Sequence, residues 1–356
     1  VMHVFLPPLL FAAAWEMDLA QLRHWWLPVA LLATVGVGAG VAGAYLVLRY
    51  VAGMDGGVAI VFGALVAATD PVAVIALFRE LRVDRALSTI VEGESLFNDG
   101  VAVALVRALA LGAAGGAASS GPSPTFELAA AAREFAVAGV GGAAAGIVVG
   151  LAAAALLRAT RAPALEIVVT VAAAFGAYAG AEALHASGIV AVIGTGLTCA
   201  VARSRADARA VVANAAVDRF WELAALVANS VLFVLVGLSI DVRSLAAAGA
   251  PAAWAIAAVL AGRAIVVHGL TSVAALAGTR VGAGWRHVIA LGGLRGALCM
   301  ALVLGLPEDF HDRSTLVAMV YSVVTFTLVA QGLALRPAMR ALGVGFAAGE
   351  RREGFA

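Results

Sequence analysis

Apolar stretches of about 20 residues recur along the whole 356-residue chain, with short polar segments between them. An α-helix of that length crosses the hydrocarbon core of a bilayer. The stretches are continuous instead of alternating in polarity, which argues against an outer-membrane barrel. Hydrophobic residues make up 63% of the chain and charged residues 13%, whereas soluble domains average about 45–50% and about 25%. We therefore predict an all-α polytopic membrane protein.

Composition excludes several other classes of protein. The formal net charge of +1 argues against a nucleic-acid partner. All 23 basic residues are arginine, so the sequence contains neither a lysine for a Schiff-base cofactor nor the Gly-Lys of a Walker A loop. Cys199 and Cys299 lie within apolar runs and read as small core residues. We expect no cofactor and no metal centre.

The apolar stretches divide into about eleven membrane segments. The first segment is short and the chain begins with valine, so we expect the N-terminus to be incomplete. The predicted segments are 4–15, 27–48, 57–78, 86–111, 128–157, 164–183, 187–201, 220–240, 251–278, 286–306 and 314–335.

Arginine placement gives the orientation of these segments. Sixteen of the 23 arginines fall on the side of the predicted C-terminal tail and five on the opposite side, while Arg263 and Arg295 lie inside segments. Because positive residues favour the cytoplasmic side, we predict a cytoplasmic C-terminus. We then expect a multi-pass protein of the plasma membrane, a bacterial inner membrane.

Two consecutive segments carry acidic residues, which cost roughly 2.5–3.5 kcal/mol each at the bilayer centre. The first contains Thr69-Asp70-Pro71. Pro71 removes a backbone donor and disfavours helical geometry at Asp70, so we predict a broken helix. Half-helix ends and free carbonyls beside a carboxylate form a cation site at mid-membrane. The alternative is a simple proline kink with an aspartate that reaches the interface.

The second segment contains Glu94, Ser95, Asn98 and Asp99. Ser95 and Asp99 share a helix face, and their oxygens suit a small hard cation. Glu94 points elsewhere and needs a counter-ion. The alternative, a polar clamp between helices, fits Glu94 better than Asp99.

Arginines inside later segments supply the opposite charge. Glycines around Arg295 predict a second interrupted helix, which crosses the first near Asp70. A buried ion pair with Arg263 or Arg295 would satisfy Glu94.

These motifs together resemble those of the cation:proton antiporter-1 family, which contains bacterial NhaP-type and animal sodium/proton exchangers. The likeness covers almost the whole chain in the family's order. The matching stretches are Phe5-Leu-Pro-Pro-Leu-Leu-Phe11, Thr69-Asp-Pro71, Glu94-Ser-Leu-Phe-Asn-Asp99, the run 233–238, and Gly292-Gly-Leu-Arg-Gly296.

The resemblance implies a homodimer with thirteen helices in inverted repeats, of which the first two are absent here. It also implies the following division of the chain: a dimerisation and scaffold domain at 1–20 and 164–245, an ion-transporting core at 24–111 and 250–340, a linker helix at 128–157 and a short cytoplasmic tail at 341–356.

The resemblance also assigns the site residues. Asp99 is the essential cation- and proton-binding group, and Ala12 stands where some members carry a glutamate that helps to gate or bind the ion. The other matching positions are Thr69, Asp70, Ser95 and Asn98 beside the ion, Glu94 with Arg263 as a structural ion pair, and Arg295 on the second crossing helix.

The predicted function is secondary transport, not enzymatic catalysis. Na⁺ or Li⁺ and H⁺ compete for Asp99 with alternating access, which gives electroneutral one-for-one exchange. Alternatives are K⁺/H⁺ antiport on the same fold, a cation channel without obligatory proton exchange, an intramembrane hydrolase at Ser95, and an inactive product that lacks two helices. The hydrolase is poorly supported, because Ser95 lies outside a glycine-flanked nucleophile elbow.

Overall fold

The computed structural model of the chain describes residues 2–114, 124–160, 162–204, 211–238 and 249–345, and these ranges contain only helices, turns and loops. Short π-helical turns at Val47–Val51 and Thr327–Gln331 extend two of the helices. In chain order the helices are α1 (Met2–Glu16), α2 (Leu19–His24), α3 (Trp26–Ala33), α4 (Val35–Leu46), α5 (Gly56–Leu65), α6 (Val72–Glu80), α7 (Arg85–Ala114), α8 (Pro124–Ala159), α9 (Pro163–Ala183), α10 (Gly188–Ser204), α11 (Val211–Leu238), α12 (Gly249–Leu276), α13 (Ala283–Leu291), α14 (Ala297–Leu304), α15 (Arg313–Phe326) and α16 (Gly332–Ala341).

The all-α prediction is confirmed, and every predicted membrane segment overlaps a helix or a pair of consecutive helices. Within the described residues, five helical stretches are long and apolar enough to cross a membrane by themselves. The total number of crossings stays a prediction. The five stretches are Trp26–Val51, Ala136–Ala159, Pro163–Ala183, Gly249–Leu276 and Arg313–Ala341.

The chain divides into two compact units. The first comprises Val1–Leu19 and Gly115–Leu238, and the second comprises Ala20–Ala114 and Ser239–Ala356. The predicted linker helix falls within the first unit. The predicted tail lies outside the described residues beyond position 345.

A row of glycines on α8 joins two helices of the first unit. Gly142, Gly146 and Gly150 recur at four-residue spacing, so they lie on one face of the helix. The backbone of α10 lies against this row, and a Cβ on Gly146 would collide with the carbonyl of Ala191. A hydrogen bond from the Thr195 hydroxyl to the Gly146 carbonyl, at 3.1 Å, depends on the same close approach. Small residues therefore set the α8–α10 distance, as they do in membrane helix pairs generally.

A polar cluster joins three helices of the first unit near one end. The indole Nε1 of Trp15 in α1 donates to Asp218 Oδ1 at 2.6 Å. Arg203 in α10 donates to the same carboxylate and to the Trp15 carbonyl, and its guanidinium lies 4.7 Å from the Trp15 ring centroid. Asp218 belongs to α11, so one aspartate holds α1, α10 and α11 together.

In the second unit, a non-helical segment separates α5 from α6, and another separates α13 from α14. Asp55 precedes α5, and its carboxylate accepts the N–H groups of Gly57 and Val58 at 2.8 and 3.2 Å. These bonds hold the pKa of the Asp55 carboxyl below its usual range. Helix α5 then ends at Leu65, and α6 begins at Val72 directly after Pro71. The break that Thr69-Asp70-Pro71 predicts is confirmed.

Candidate functional site

The two helix breaks of the second unit cross each other. Residues 66–71 separate α5 from α6, and residues 292–296 separate α13 from α14. At the crossing, the backbone N–H of Asp70 donates to the carbonyl of Leu294 at 2.8 Å. Gly296 lies so close to Asp70 that any Cβ would occupy the space of the aspartate side chain. The crossing of two interrupted helices, predicted from the glycines around the second break, is therefore present.

Charged side chains neutralise the helix ends that the breaks expose. Arg295 is buried, and its Nη1 donates to the carbonyls of Ala67 and Ala68 at 2.9 and 3.1 Å, just past the C-terminus of α5. Asp70 Oδ1 accepts the N–H of Val72 at 3.0 Å, at the N-terminus of α6. A cation at a helix C-terminus and an anion at an N-terminus both oppose the helix dipole. Each charge thus has a structural partner in the broken backbone.

Helix α7 holds the broken segment through Thr69. Ser95 Oγ donates to the Thr69 carbonyl, and Asn98 Nδ2 donates to the Thr69 hydroxyl at 2.7 Å. The same Asn98 amide donates to Glu94 Oε1 at 2.9 Å. Ser95, Asn98, Thr69 and Glu94 are all buried, so each of these bonds replaces contacts with water. The predicted site residues on two segments are therefore joined by one hydrogen-bond chain.

Glu94 has the counter-ion that the sequence requires. Both carboxylate oxygens accept from Arg263, with Nη1–Oε1 and Nη2–Oε2 distances of 2.7 Å. Arg263 Nη2 also donates to the Ile289 carbonyl at 3.1 Å, which ties the pair to α13. The side chains of Glu94 and Arg263 are 2% and 10% exposed. A bidentate, buried pair of this kind fits the polar clamp that the sequence allowed for Glu94.

Asp99 has a different environment on the same helix. Among the described residues, its Oδ1 is buried and has no hydrogen-bond partner. The charges of Asp70, Glu94 and Arg295 all act on its carboxyl group. Buried polar atoms are normally bonded, and a carboxylate oxygen without a donor is free to accept a proton or a cation.

Three further polar residues contact the breaks, and sequence reasoning did not assign them to the site. The Thr327 hydroxyl accepts the backbone N–H of Arg295 at 3.1 Å, and Gln331 Nε2 donates to the Leu291 carbonyl. Cys299 Sγ donates to the Ala68 carbonyl at 3.3 Å, although the sequence predicted only a small core residue. A threonine and a glutamine four residues apart in an otherwise apolar segment were the available signal.

Comparison with known proteins identifies the family. The family model described as "Sodium/hydrogen exchanger, transmembrane" matches residues 1–341. The chain is 36% identical to the low-affinity Na⁺/H⁺ antiporter NhaS1 of Synechocystis sp., covering 96% of this chain and 64% of that protein. It is also 36% identical to the Na⁺/H⁺ antiporter ApNhaP of Aphanothece halophytica, over 97% of this chain and 65% of the relative. The chain thus spans just under two thirds of the length of these two relatives.

A third relative and a solved structure agree with this match. The Na⁺/H⁺ antiporter NhaP of Pseudomonas aeruginosa is 34% identical, over 97% of this chain and 81% of that protein. The structure of the sodium proton antiporter MjNhaP1 from Methanocaldococcus jannaschii at pH 8 superposes with a TM-score of 0.77. That match covers 96% of this chain and 85% of the other at 18% identity, so it shows a shared fold. The chain belongs to the transmembrane sodium/hydrogen exchanger family.

Proposed function

We propose that this chain is a secondary transporter that exchanges Na⁺ for H⁺, with Asp99 binding each ion in turn. One observation carries the proposal: beside two crossed helix breaks, a carboxylate oxygen of Asp99 is buried with no donor from the described residues. Family membership supports it, as do relatives whose names state Na⁺/H⁺ antiport. Such a protein moves ions across the membrane and does not convert a substrate into a product.

The ligand chemistry of the site favours a small alkali cation. Carboxylate, hydroxyl and carbonyl oxygens are hard ligands, which suit Na⁺ or Li⁺ better than a soft metal. Asp99 supplies the negative charge. Ser95 and Asn98 donate to Thr69 through their hydrogens and so position the broken segment, while their oxygen lone pairs lie beside the ion as ligands.

Competition at one carboxyl group couples the two ions. Asp99 binds either a proton or a cation, and never both. Each time the site changes the side of the membrane to which it is open, it therefore carries one positive ion. Alternating access then converts a sodium gradient into a proton gradient with one Na⁺ for one H⁺. K⁺ in place of Na⁺ is the alternative within the same scheme.

The other intramembrane charges act as structural groups in this proposal. Both oxygens of Glu94 are bonded to Arg263, and Arg295 is bonded to the carbonyls beyond α5. Asp70 caps α6 through the Val72 N–H. Each of these side chains has at least one partner within the protein, whereas Asp99 Oδ1 has none among the described residues.

We further propose roles for the parts of the chain. Residues 24–111 and 250–340 form the ion-transporting core, residues 1–20 and 164–245 form a dimerisation scaffold, and 128–157 links them. All the site residues named above lie in the second unit, which supports this division. Sixteen arginines on one side support a cytoplasmic C-terminus in a bacterial inner membrane. The cellular role is pH and sodium homeostasis.

The decisive experiment measures exchange in proteoliposomes that contain the 356-residue chain and a trapped pH dye. External Na⁺, Li⁺ and K⁺ are added in turn to vesicles with an acidic interior. We expect Na⁺ to drive internal alkalinisation, and we expect Asp99→Asn to reduce it to the level of protein-free vesicles. Asp309→Asn, an exposed aspartate in the loop before α15, is the matched control and should exchange normally.

Other outcomes point elsewhere. Sodium-driven alkalinisation that persists in Asp99→Asn contradicts the site. Alkalinisation with K⁺ alone identifies a K⁺/H⁺ antiporter. A cation current without proton movement identifies a channel. No exchange by the wild-type chain overturns the proposal for these 356 residues.

A further inference from the structure

Two histidines lie side by side where α12 packs against α13, away from the crossed breaks. His268 belongs to α12 and His287 to α13. Their ring centroids are 4.9 Å apart and their planes meet at 78°. His287 is exposed and His268 is half-buried. Neither side chain takes part in the site built around Asp99.

The hydrogen bonds of the two rings define their tautomers. His268 Nδ1 lies 2.8 Å from the Ala264 carbonyl, and His287 Nδ1 lies 2.8 Å from the Ala283 carbonyl. A carbonyl oxygen only accepts, so both Nδ1 atoms must carry the proton. In the neutral ring, each Nε2 then has a free lone pair. A histidine that binds a metal has this arrangement, with the other ring nitrogen donating to a backbone carbonyl.

We propose that His268 and His287 together bind a late first-row divalent cation such as Ni²⁺, Cu²⁺ or Zn²⁺ through their Nε2 atoms. Two imidazoles that share an ion at about 2.0–2.1 Å with a tetrahedral angle have centroids roughly 5 Å apart. The observed centroid separation of 4.9 Å is compatible with this distance. Imidazole nitrogen favours these ions over Mg²⁺ or Ca²⁺.

The surroundings define what completes the site. In the described part of the chain, no cluster of three or more His, Cys, Asp or Glu residues is arranged to hold a metal ion. We therefore assign the remaining coordination positions to water. Arg286 neighbours His287, but its guanidinium is engaged, with Nε donating to the Val281 carbonyl at 2.9 Å and Nη1 to Ser272 Oγ at 3.2 Å. The positive charge of Arg286 disfavours cations that would be held by electrostatic attraction alone.

Direct binding tests the proposal independently of transport. The chain is purified with a tag that contains no histidine, reconstituted in nanodiscs and stripped with EDTA. Calorimetric titration with Ni²⁺ should give one saturable site per chain, and Mg²⁺ should give none. With one equivalent of Cu²⁺, the electron paramagnetic resonance spectrum should show two nitrogen ligands.

Substitutions locate the ion. His268→Gln and His287→Gln should each weaken Ni²⁺ binding at least about tenfold. Even the loss of a residue that only hydrogen-bonds to a metal ligand lowers metal affinity by about this factor. His185→Gln changes an exposed histidine of the first unit and should bind as the wild type does. Wild-type affinity in His287→Gln, or a Cu²⁺ spectrum with one nitrogen, would overturn the proposal. The Cu²⁺ spectrum is recorded on the wild-type chain, so it still tests the proposal if a substituted chain misfolds.

Discussion

Glu94 and Asp99 lie five residues apart on α7, yet their carboxyl groups have opposite environments. Arg263 donates to both oxygens of Glu94, and Asn98 donates to one of them as well. Asp99 Oδ1, in contrast, is buried without a partner among the described residues. The partner of a paired buried charge offsets its loss of hydration, whereas an unpaired buried charge costs free energy until an ion or proton binds. This difference separates the structural carboxylate from the one that we propose carries ions.

The first prediction concerns the Glu94–Arg263 pair. Glu94→Gln leaves the Arg263 guanidinium buried without its counter-charge. We expect a loss of about 3–5 kcal/mol in the free energy of unfolding, because removing one partner strands the other. The apparent stability of the purified protein, measured by thermal unfolding in detergent, checks this value.

Two variants bracket that result. Glu94→Gln with Arg263→Met removes both charges and should recover most of the loss. Glu80→Gln breaks an exposed pair with Arg336, whose Nη2–Oε1 distance is 2.8 Å, and should cost about 0–1 kcal/mol. Equal losses in Glu94→Gln and Glu80→Gln would show that burial of the Glu94 pair does not matter.

At the scale of helices, the sequence predicts those features that depend on local chemistry. Pro71 breaks its own helix, so the end of α5 and the start of α6 follow from three adjacent residues. The site residues on α7 follow from the presence of polar groups in an apolar segment. The contacts of Thr327 with Arg295 and of His268 with His287 depend on which distant segments pack together. A polar residue in an apolar segment, such as Thr327, can be recognised locally, but no local pattern shows which distant residue it contacts.

The glycine row of α8 gives a prediction about helix packing. Gly146→Ala places a methyl group on the Ala191 carbonyl of α10, which is backbone and yields only if the helices separate. We expect the free energy of unfolding to fall by about 1–3 kcal/mol, which is the usual cost of overpacking a tight interface. Thermal unfolding in detergent measures the change.

The same helix offers a control for that substitution. Gly139 has nothing within 4 Å of an added Cβ, so Gly139→Ala meets no neighbour. It should leave stability unchanged or raise it by up to about 1 kcal/mol through helix propensity. If Gly146→Ala proves as benign as Gly139→Ala, the close contact with α10 is not what sets the packing.

For the molecule as a whole, the two units differ in the kind of residues that hold them together. In the first, glycines on α8 and a cluster around Asp218 join the helices, and the intramembrane charges of the proposed site are elsewhere. The second unit contains Asp70, Glu94, Asp99, Arg263 and Arg295. Concentrating these charges in one unit is consistent with a single ion-binding site per chain. The number of carboxyl groups that exchange protons there then decides whether transport moves net charge.

The last prediction tests that number. If Asp99 alone exchanges, one H⁺ moves for each Na⁺, and membrane potential does no work on the cycle. Proteoliposomes with a fixed Na⁺ gradient should reach the same final pH difference at 0 and at −100 mV, set by valinomycin and K⁺.

If Asp70 also gave up its proton in each cycle, two H⁺ would move for each Na⁺. A potential worth about 2.3 kcal/mol per charge, divided between two protons at about 1.4 kcal/mol per tenfold gradient, would then shift the final pH difference by about 0.8 unit. Vesicles with the same K⁺ gradient but no valinomycin control for direct K⁺ exchange. A shift of that size would contradict one-for-one exchange and make Asp70 a second carrier, although its carboxylate caps α6 in this structure.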